Sequence, residues 1–257
     1  NTYHTTTPVQ QADKFWLKRD DTWEGPNSRG GKARTMDLIC RWAKTHSKTE
    51  VCIAVDRNSS VPGMVSRVCR YHGIRLRIWL PAANAPLPPV FVEAVDNGAS
   101  LEEIRPGYMS VRRKRLHDYV AASNNTAIEL DVGLLLKIGE GNIGQDETSK
   151  QASNVLPLFR YGTIKRVVVP VGSGGMLRGI VDGLPEVPIL GVCCGNIPTI
   201  AEAMPLNVKL IKSRHDFGDT VSATIGGVEL DPVYEAKCVE HMQEGDLLWI
   251  VANRDTE

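Results

Sequence analysis

Lys32 stands directly behind two glycines in the run Arg29-Gly-Gly-Lys-Ala-Arg-Thr-Met-Asp37. Glycines let a backbone approach a ligand closely, and N–H dipoles at a helix start favour a neutral, nucleophilic amine. A lysine that attacks a carbonyl needs that help. By itself the run reads first as a turn leading into a helix. A second stretch, Val167-Val-Val-Pro-Val171, ends in Gly172-Ser173-Gly174-Gly175 followed by Met176. A buried strand that turns through glycines into a helix can cradle a phosphate with its backbone N–H groups. No GK[ST] follows, and the spacing is not that of a dinucleotide-binding loop. A tight strand-to-helix turn with no ligand has the same sequence. In the third stretch, Leu230-Asp-Pro-Val-Tyr-Glu-Ala-Lys237, Asp231-Pro232 reads as an N-cap with proline in the first turn. Capping alone gives Tyr234 and Glu235 no role.

The elements that must position these residues follow from hydrophobic periodicity. Short apolar runs predict strands at 51–55, 76–80, 101–104, 166–171, 189–192, 208–211 and 247–251, with a further strand running from Phe15 toward Asp21. Amphipathic stretches predict helices at 63–71, 88–97, 111–122, 146–160, 175–183 and 232–243. Such alternation means strand–helix–strand units, so the expected fold class is α/β with mostly parallel, doubly wound sheets. Two lobes are expected: a small one over 46–149, and a large one from 1–45 plus 150–257.

Composition narrows the function classes. Lys and Arg total 30, as do Asp and Glu, so no global field draws the chain to nucleic acid or membrane. The local exception is Arg112-Arg113-Lys114-Arg115, read as the solvated face of a helix or as a phosphate-binding patch. The six cysteines form no CxxC pair and have no zinc-ligand spacing, so neither metal nor disulfide is expected. Free thiols in apolar patterns, with no signal peptide and no membrane-length run, set the expectation of a cytoplasmic protein.

Taken together and in order, the KRDD strand, GGKxRxxxD, GSGG and LDPVYExK resemble the pyridoxal-phosphate (PLP) enzymes related to 1-aminocyclopropane-1-carboxylate deaminase and D-cysteine desulfhydrase. That family has the tryptophan-synthase-β-like fold, or fold type II. The resemblance implies that Lys32 holds PLP as a Schiff base, and that Gly172, Ser173, Gly174 and Gly175, with Met176 beside them, bind its phosphate. It places Asn58, Ser59 and Ser60 near the cofactor ring, has Tyr234 line the site and makes Glu235 the partner of the pyridine nitrogen. A carboxylate there keeps the ring protonated and strengthens it as an electron sink. The chain departs from the family in several places. Its lysine motif is one residue shorter, Ser60 stands where the family has Asn, and Met176 where Thr is common. The segment between Phe217 and Gly227 is short where the deaminases carry a catalytic tyrosine.

The implied activity is a lyase that breaks a bond at Cα of an amino-acid substrate, as a deaminase or desulfhydrase, with a homodimer as the expected assembly. The chief alternative is a decarboxylase resembling the PLP enzymes of bacteriophage thymidine hypermodification, which act on an amino acid attached to a modified pyrimidine in DNA. A non-catalytic PLP-binding protein is a further alternative.

Overall fold

The computed structural model describes residues 6–251, apart from 26, 132, 139–140, 196 and 198–203. Strands β1 (Val9–Ala12) and β2 (Phe15–Arg19) precede helix α1 (Gly31–Thr45). Then come β3 (Glu50–Ala54), α2 (Val61–His72), β4 (Arg75–Pro81), α3 (Pro89–Asp96), β5 (Ser100–Ile104), α4 (Met109–Ala122) and β6 (Ala127–Leu130). Helices α5 (Ile143–Ser153) and α6 (Leu156–Arg160) lead into β7 (Arg166–Val171), α7 (Gly175–Gly183), β8 (Ile189–Cys193), β9 (Val208–Lys212) and β10 (Asp246–Ile250). The chain divides into two compact units. One comprises Glu24–Ser28 and Lys32–Ile143; the other comprises Asn1–Trp23, Arg29–Gly31 and Gly144–Glu257.

The first unit holds a four-stranded parallel sheet in the order β5-β4-β3-β6. Alternate side chains of a strand point to opposite faces. Val51, Ile53, Ile78 and Leu80 accordingly meet helices α1, α2 and α3 in one apolar core. Cys52 and Trp79 turn the other way, onto Leu116 of α4. From α1, Met36, Ile39, Cys40 and Ala43 enter the core at helical spacing. The sequence division had left residues 32–45 with the large lobe. This apolar stripe is the physical reason that they pack in the four-stranded unit.

The second unit holds a six-stranded sheet in the order β1-β2-β10-β7-β8-β9. Only the β1–β2 pair is antiparallel. Val167, Val169 and Val171 share a core with Leu177 and Ile180 of α7 and Ala152 of α5. Val168, Leu190, Val192 and Leu248 face Leu230, Ala236 and Cys238 on the opposite side. Close approach of α5 to α7 depends on Gly179, where a Cβ would lie 2.6 Å from Cβ of Thr148 and 2.7 Å from the Gln145 carbonyl.

Four local features differ from the sequence reading. Strands β1 and β6 are additional; both are only four residues long, and β1 (Val-Gln-Gln-Ala) lacks apolar alternation. The expected helix over 146–160 breaks at Asn154–Val155, because Pro157 cannot donate a backbone N–H and so restarts the helix at α6. The expected helix over 232–243 is a 3-10 helix at Glu235–His241, preceded by a turn.

Candidate functional site

In the six-stranded unit, β7 delivers the chain at Val171 and α7 begins at Gly175. Between them Gly172 and Ser173 are exposed, and Gly174 caps the helix with φ of 84°. That left-handed conformation favours glycine. The N–H groups of the helix's first turn and the exposed Gly172-Ser173 backbone are donors of the kind that could hold an anion. Met176 puts its side chain against the core, so toward a ligand at the loop it offers backbone only.

The Asp231–Lys237 stretch lies alongside this loop. Asp231 Oδ1 accepts the N–H groups of Val233 (2.8 Å) and Tyr234 (2.9 Å), which closes a turn; it is not the expected N-cap, because the 3-10 helix begins only at Glu235, with Tyr234 flanking it and no side-chain cap. The Tyr234 ring borders Gly172, where a Cβ would sit 3.5 Å from Cε1. The Phe217 ring meets Tyr234 edge-on, with centroids 5.9 Å apart and planes at 75°. Glu235 is 1% exposed, and its Oε1 accepts the Val251 N–H at 2.8 Å. The Val251 carbonyl in turn accepts the N–H of Gly31, the residue before Lys32, at 2.9 Å. Cys194 is pushed up to about 11, chiefly by burial and further by the Glu235 charge, with Lys237 opposing. It is therefore a protonated hydrophobe, not a nucleophile.

The same unit contains a buried polar cluster that the sequence reading did not single out. Lys18 Nζ donates to the Thr7 carbonyl (2.5 Å) and to Gln151 Oε1 (3.1 Å), and lies 3.4 Å from Asp20 Oδ1. It also sits 5.6 Å from the centre of the Trp249 ring. Asp20 accepts the Trp249 indole N–H at 3.0 Å and a bond from the Thr7 hydroxyl. The clue was available in the KRDD run, where charged residues follow Phe-Trp-Leu in one strand. Phe217, Lys237 and Val251 were likewise not expected, and no sequence pattern marks Phe217 or Val251.

In the four-stranded unit, Lys32 is the second residue of α1 and half-buried. Asn58, Ser59 and Ser60 connect the end of β3 to α2, at the carboxyl end of a parallel strand where open α/β sheets bind ligands. Ser59 is used locally: its N–H donates to the Asp56 carbonyl (3.0 Å) and its Oγ accepts the Val61 N–H (3.3 Å). Asn58 and Ser60 are exposed. The basic run is not a bare cationic patch. Arg112 is buried and bonds Asp56, Arg113 pairs with Asp131 at 2.7 Å, and Lys114 pairs with Asp118 at 3.0 Å. Among the described residues no cluster of three His, Cys, Asp or Glu is placed to hold a metal, and no helix is long and apolar enough to cross a membrane.

No protein-family model matches the chain. No curated protein matches it either. Solved structures do. A homologue of ACC deaminase superposes with a TM-score of 0.76 at 16% identity, over 96% of this chain and 89% of that one. The O-acetylserine-dependent cystathionine beta-synthase of Helicobacter pylori gives 0.60 at 14% identity, over 98% and 94%. A pyridoxal 5'-phosphate-dependent aspartate racemase gives 0.61 at 14% identity, over 98% and 91%. At these identities the likeness shows the fold, which is tryptophan-synthase-β-like α/β.

Proposed function

We propose that the chain is a PLP-dependent lyase that breaks a bond at Cα of an amino-acid substrate. The observation that carries this reading is the Glu235 carboxylate. It is buried, anchored by the Val251 N–H, and its neighbour Tyr234 borders the glycine loop at the α7 N-terminus. Residues Gly172–Gly175 fit a phosphate through exposed backbone and a helix N-terminus. Bound PLP supplies an electron sink for the pair left at Cα when a bond there breaks. Glu235 holds the proton on the pyridine nitrogen. Lys32 provides the amine that links the cofactor covalently and moves the Cα proton. Tyr234 and Phe217 flank the substrate, while Asn58, Ser59 and Ser60 are assigned to the cofactor ring by the family resemblance. A purely structural PLP binder would have no use for a buried carboxylate at the nitrogen, so the catalytic reading is preferred.

Two reactions divide this proposal. One is deamination or desulfhydration of a small free amino acid. The other is decarboxylation of an amino acid carried on a modified thymidine in phage DNA. Pairing of Arg112, Arg113 and Lys114 with carboxylates removes the main support for a polyanionic substrate, so the free amino acid is the first choice.

The test begins with the PLP-loaded protein. Borohydride reduction and peptide mapping should put the pyridoxyl group on Lys32, and Lys32→Ala should remove both the covalent link and the activity. Attachment at another lysine would refute the assignment. Glu235→Gln keeps an acceptor for the Val251 N–H, so PLP retention should survive. Loss of the charged hydrogen bond, worth about 1.5–3 kcal/mol, should slow any carbanion-forming step by about tenfold to a hundredfold or more. Ammonia and carbon dioxide assays, on free amino acids and on aminoacylated thymidine DNA, then separate the two reactions.

A further inference from the structure

Lys237 closes the Asp231–Lys237 motif and takes no part in the chemistry above. Its side chain is 1% exposed. The bonds of its ammonium group go to two backbone carbonyls, Asp216 at 2.7 Å and Phe217 at 3.4 Å, with no ion pair among the described residues. A buried ammonium compensated only by carbonyls adds little to stability. Its effect is therefore to be sought in what it holds. The segment it grips is otherwise tied mainly to itself: the His215 N–H bonds Ser213 Oγ, and the Asp216 N–H bonds Asp219 Oδ2. Upstream, the Ser213 N–H reaches the Cys193 carbonyl at the end of β8. Phe217 emerges from this segment half-exposed, with its ring against Gly195 and edge-on to Tyr234.

We propose that Lys237 is a positioning residue that fastens the 213–219 segment through the Asp216 and Phe217 carbonyls, so that Phe217 and Tyr234 form an aromatic wall beside Gly172 and Gly195 which selects amino-acid substrates with apolar side chains. This rests on the lyase reading for the identity of the substrate, whereas the fastening itself does not.

Two measurements separate the two parts. Amide hydrogen exchange in the peptide covering 213–219 needs no cofactor: Lys237→Met should speed it, and Lys237→Arg should restore most of the protection. The PLP-loaded protein is then titrated with L-phenylalanine and L-alanine, read by the cofactor absorbance. Both Lys237→Met and Phe217→Leu should lower the preference for phenylalanine over alanine by about fivefold, the scale of one aromatic pair. PLP retention should stay unchanged, and the double variant should lose no more than either single one, because both act through the same ring. Unchanged exchange in Lys237→Met overturns the fastening. Faster exchange with an unchanged preference, or no response of the wild type to either amino acid, overturns the specificity role. Loss of PLP retention in Lys237→Met at unchanged exchange would make Lys237 a cofactor ligand instead. Phe217 is half-exposed, so Phe217→Leu carries the specificity test should Lys237→Met fail to fold. A wild-type protein that takes up no PLP refutes the lyase reading and leaves the exchange result standing.

Discussion

In the four-stranded sheet, the inner strand β3 gives Val51 and Ile53 to one helix layer and Cys52 to the other. Its buried carboxylate, Glu50, stands at the start of the strand, where Arg77 (3.2 Å) and the Tyr119 hydroxyl (2.7 Å) neutralise it near solvent. The six-stranded sheet treats the interior differently. Lys18 lies within β2 opposite Trp249 in the parallel register, fully enclosed, and Asp20 follows it under the same indole. Glu235 and Lys237 add two more enclosed charges beside the glycine loop. Hydrocarbon can pack in many ways with similar energy, whereas a buried ion tolerates only the geometry that satisfies it. Two buried lysines, Lys18 and Lys237, lie in the unit that carries the glycine loop, so there the sequence is set by positioning as much as by burial.

The strongest way to break that comparison is Asp20→Ala. It would leave the Lys18 ammonium, the Trp249 indole N–H and the Thr7 hydroxyl without their shared acceptor. Removing one partner of a buried ionic group costs about 3–5 kcal/mol, and we expect a loss of that size in urea unfolding. Asp20→Glu should fare little better, because the cluster has no room to shift. A loss under about 1 kcal/mol for Asp20→Ala would mean that water or a neighbour replaces the carboxylate, and the contrast between the units would fall.

Leu80→Ala is the matching change in the apolar unit. It should cost about 2–4 kcal/mol through lost transfer energy and a residual cavity. The sharper expectation concerns the conservative swap: Leu80→Met should cost under about 1.5 kcal/mol, since cores accept changes that conserve volume. If Leu80→Met proves as damaging as Asp20→Glu, the two interiors are equally exacting.

Legibility in the sequence follows the same division. The apolar run at Val167–Val171 and its glycine turn were readable to the residue: β7 spans 166–171 and α7 spans 175–183, both as expected. Burial of β-branched residues on both faces leaves a continuous apolar run, and only glycine tolerates the φ of Gly174. The Lys-Arg-Asp-Asp run was legible only as a motif, because the partners that enclose its charges are not neighbours in the chain. Those partners, Gln151 and Trp249, are distant in sequence. Phe217 is hidden for a related reason: its place against Tyr234 depends on Lys237 gripping a carbonyl, and a backbone acceptor carries no residue identity. The membership of α1 turned on a stripe of four small or medium apolar residues that either lobe could have buried.

The smallest effect tests a buried ion pair of the four-stranded unit, His72 with Asp37. Burial alone would raise the Asp37 carboxyl, but hydrogen bonds from His72 Nε2 (2.7 Å) and Arg41 Nε (2.7 Å) outweigh it and hold the group below its ordinary value. A carboxylate depressed in the folded state favours folding above its unfolded value of about 4, and that contribution disappears as pH falls through the folded value. Wild type and Asp37→Asn should therefore differ by about 1 kcal/mol at neutral pH, and their unfolding curves should converge as pH drops below about 4. Asp37 on α1 bonds His72 on α2, so the acid loss should appear first in amide exchange of those two helices. A gap between the two proteins that stays constant down to pH 3 would show that the carboxylate is held no more tightly in the fold than in the open chain. The Asp37 link between α1 and α2 would then add nothing to the cohesion of the four-stranded unit.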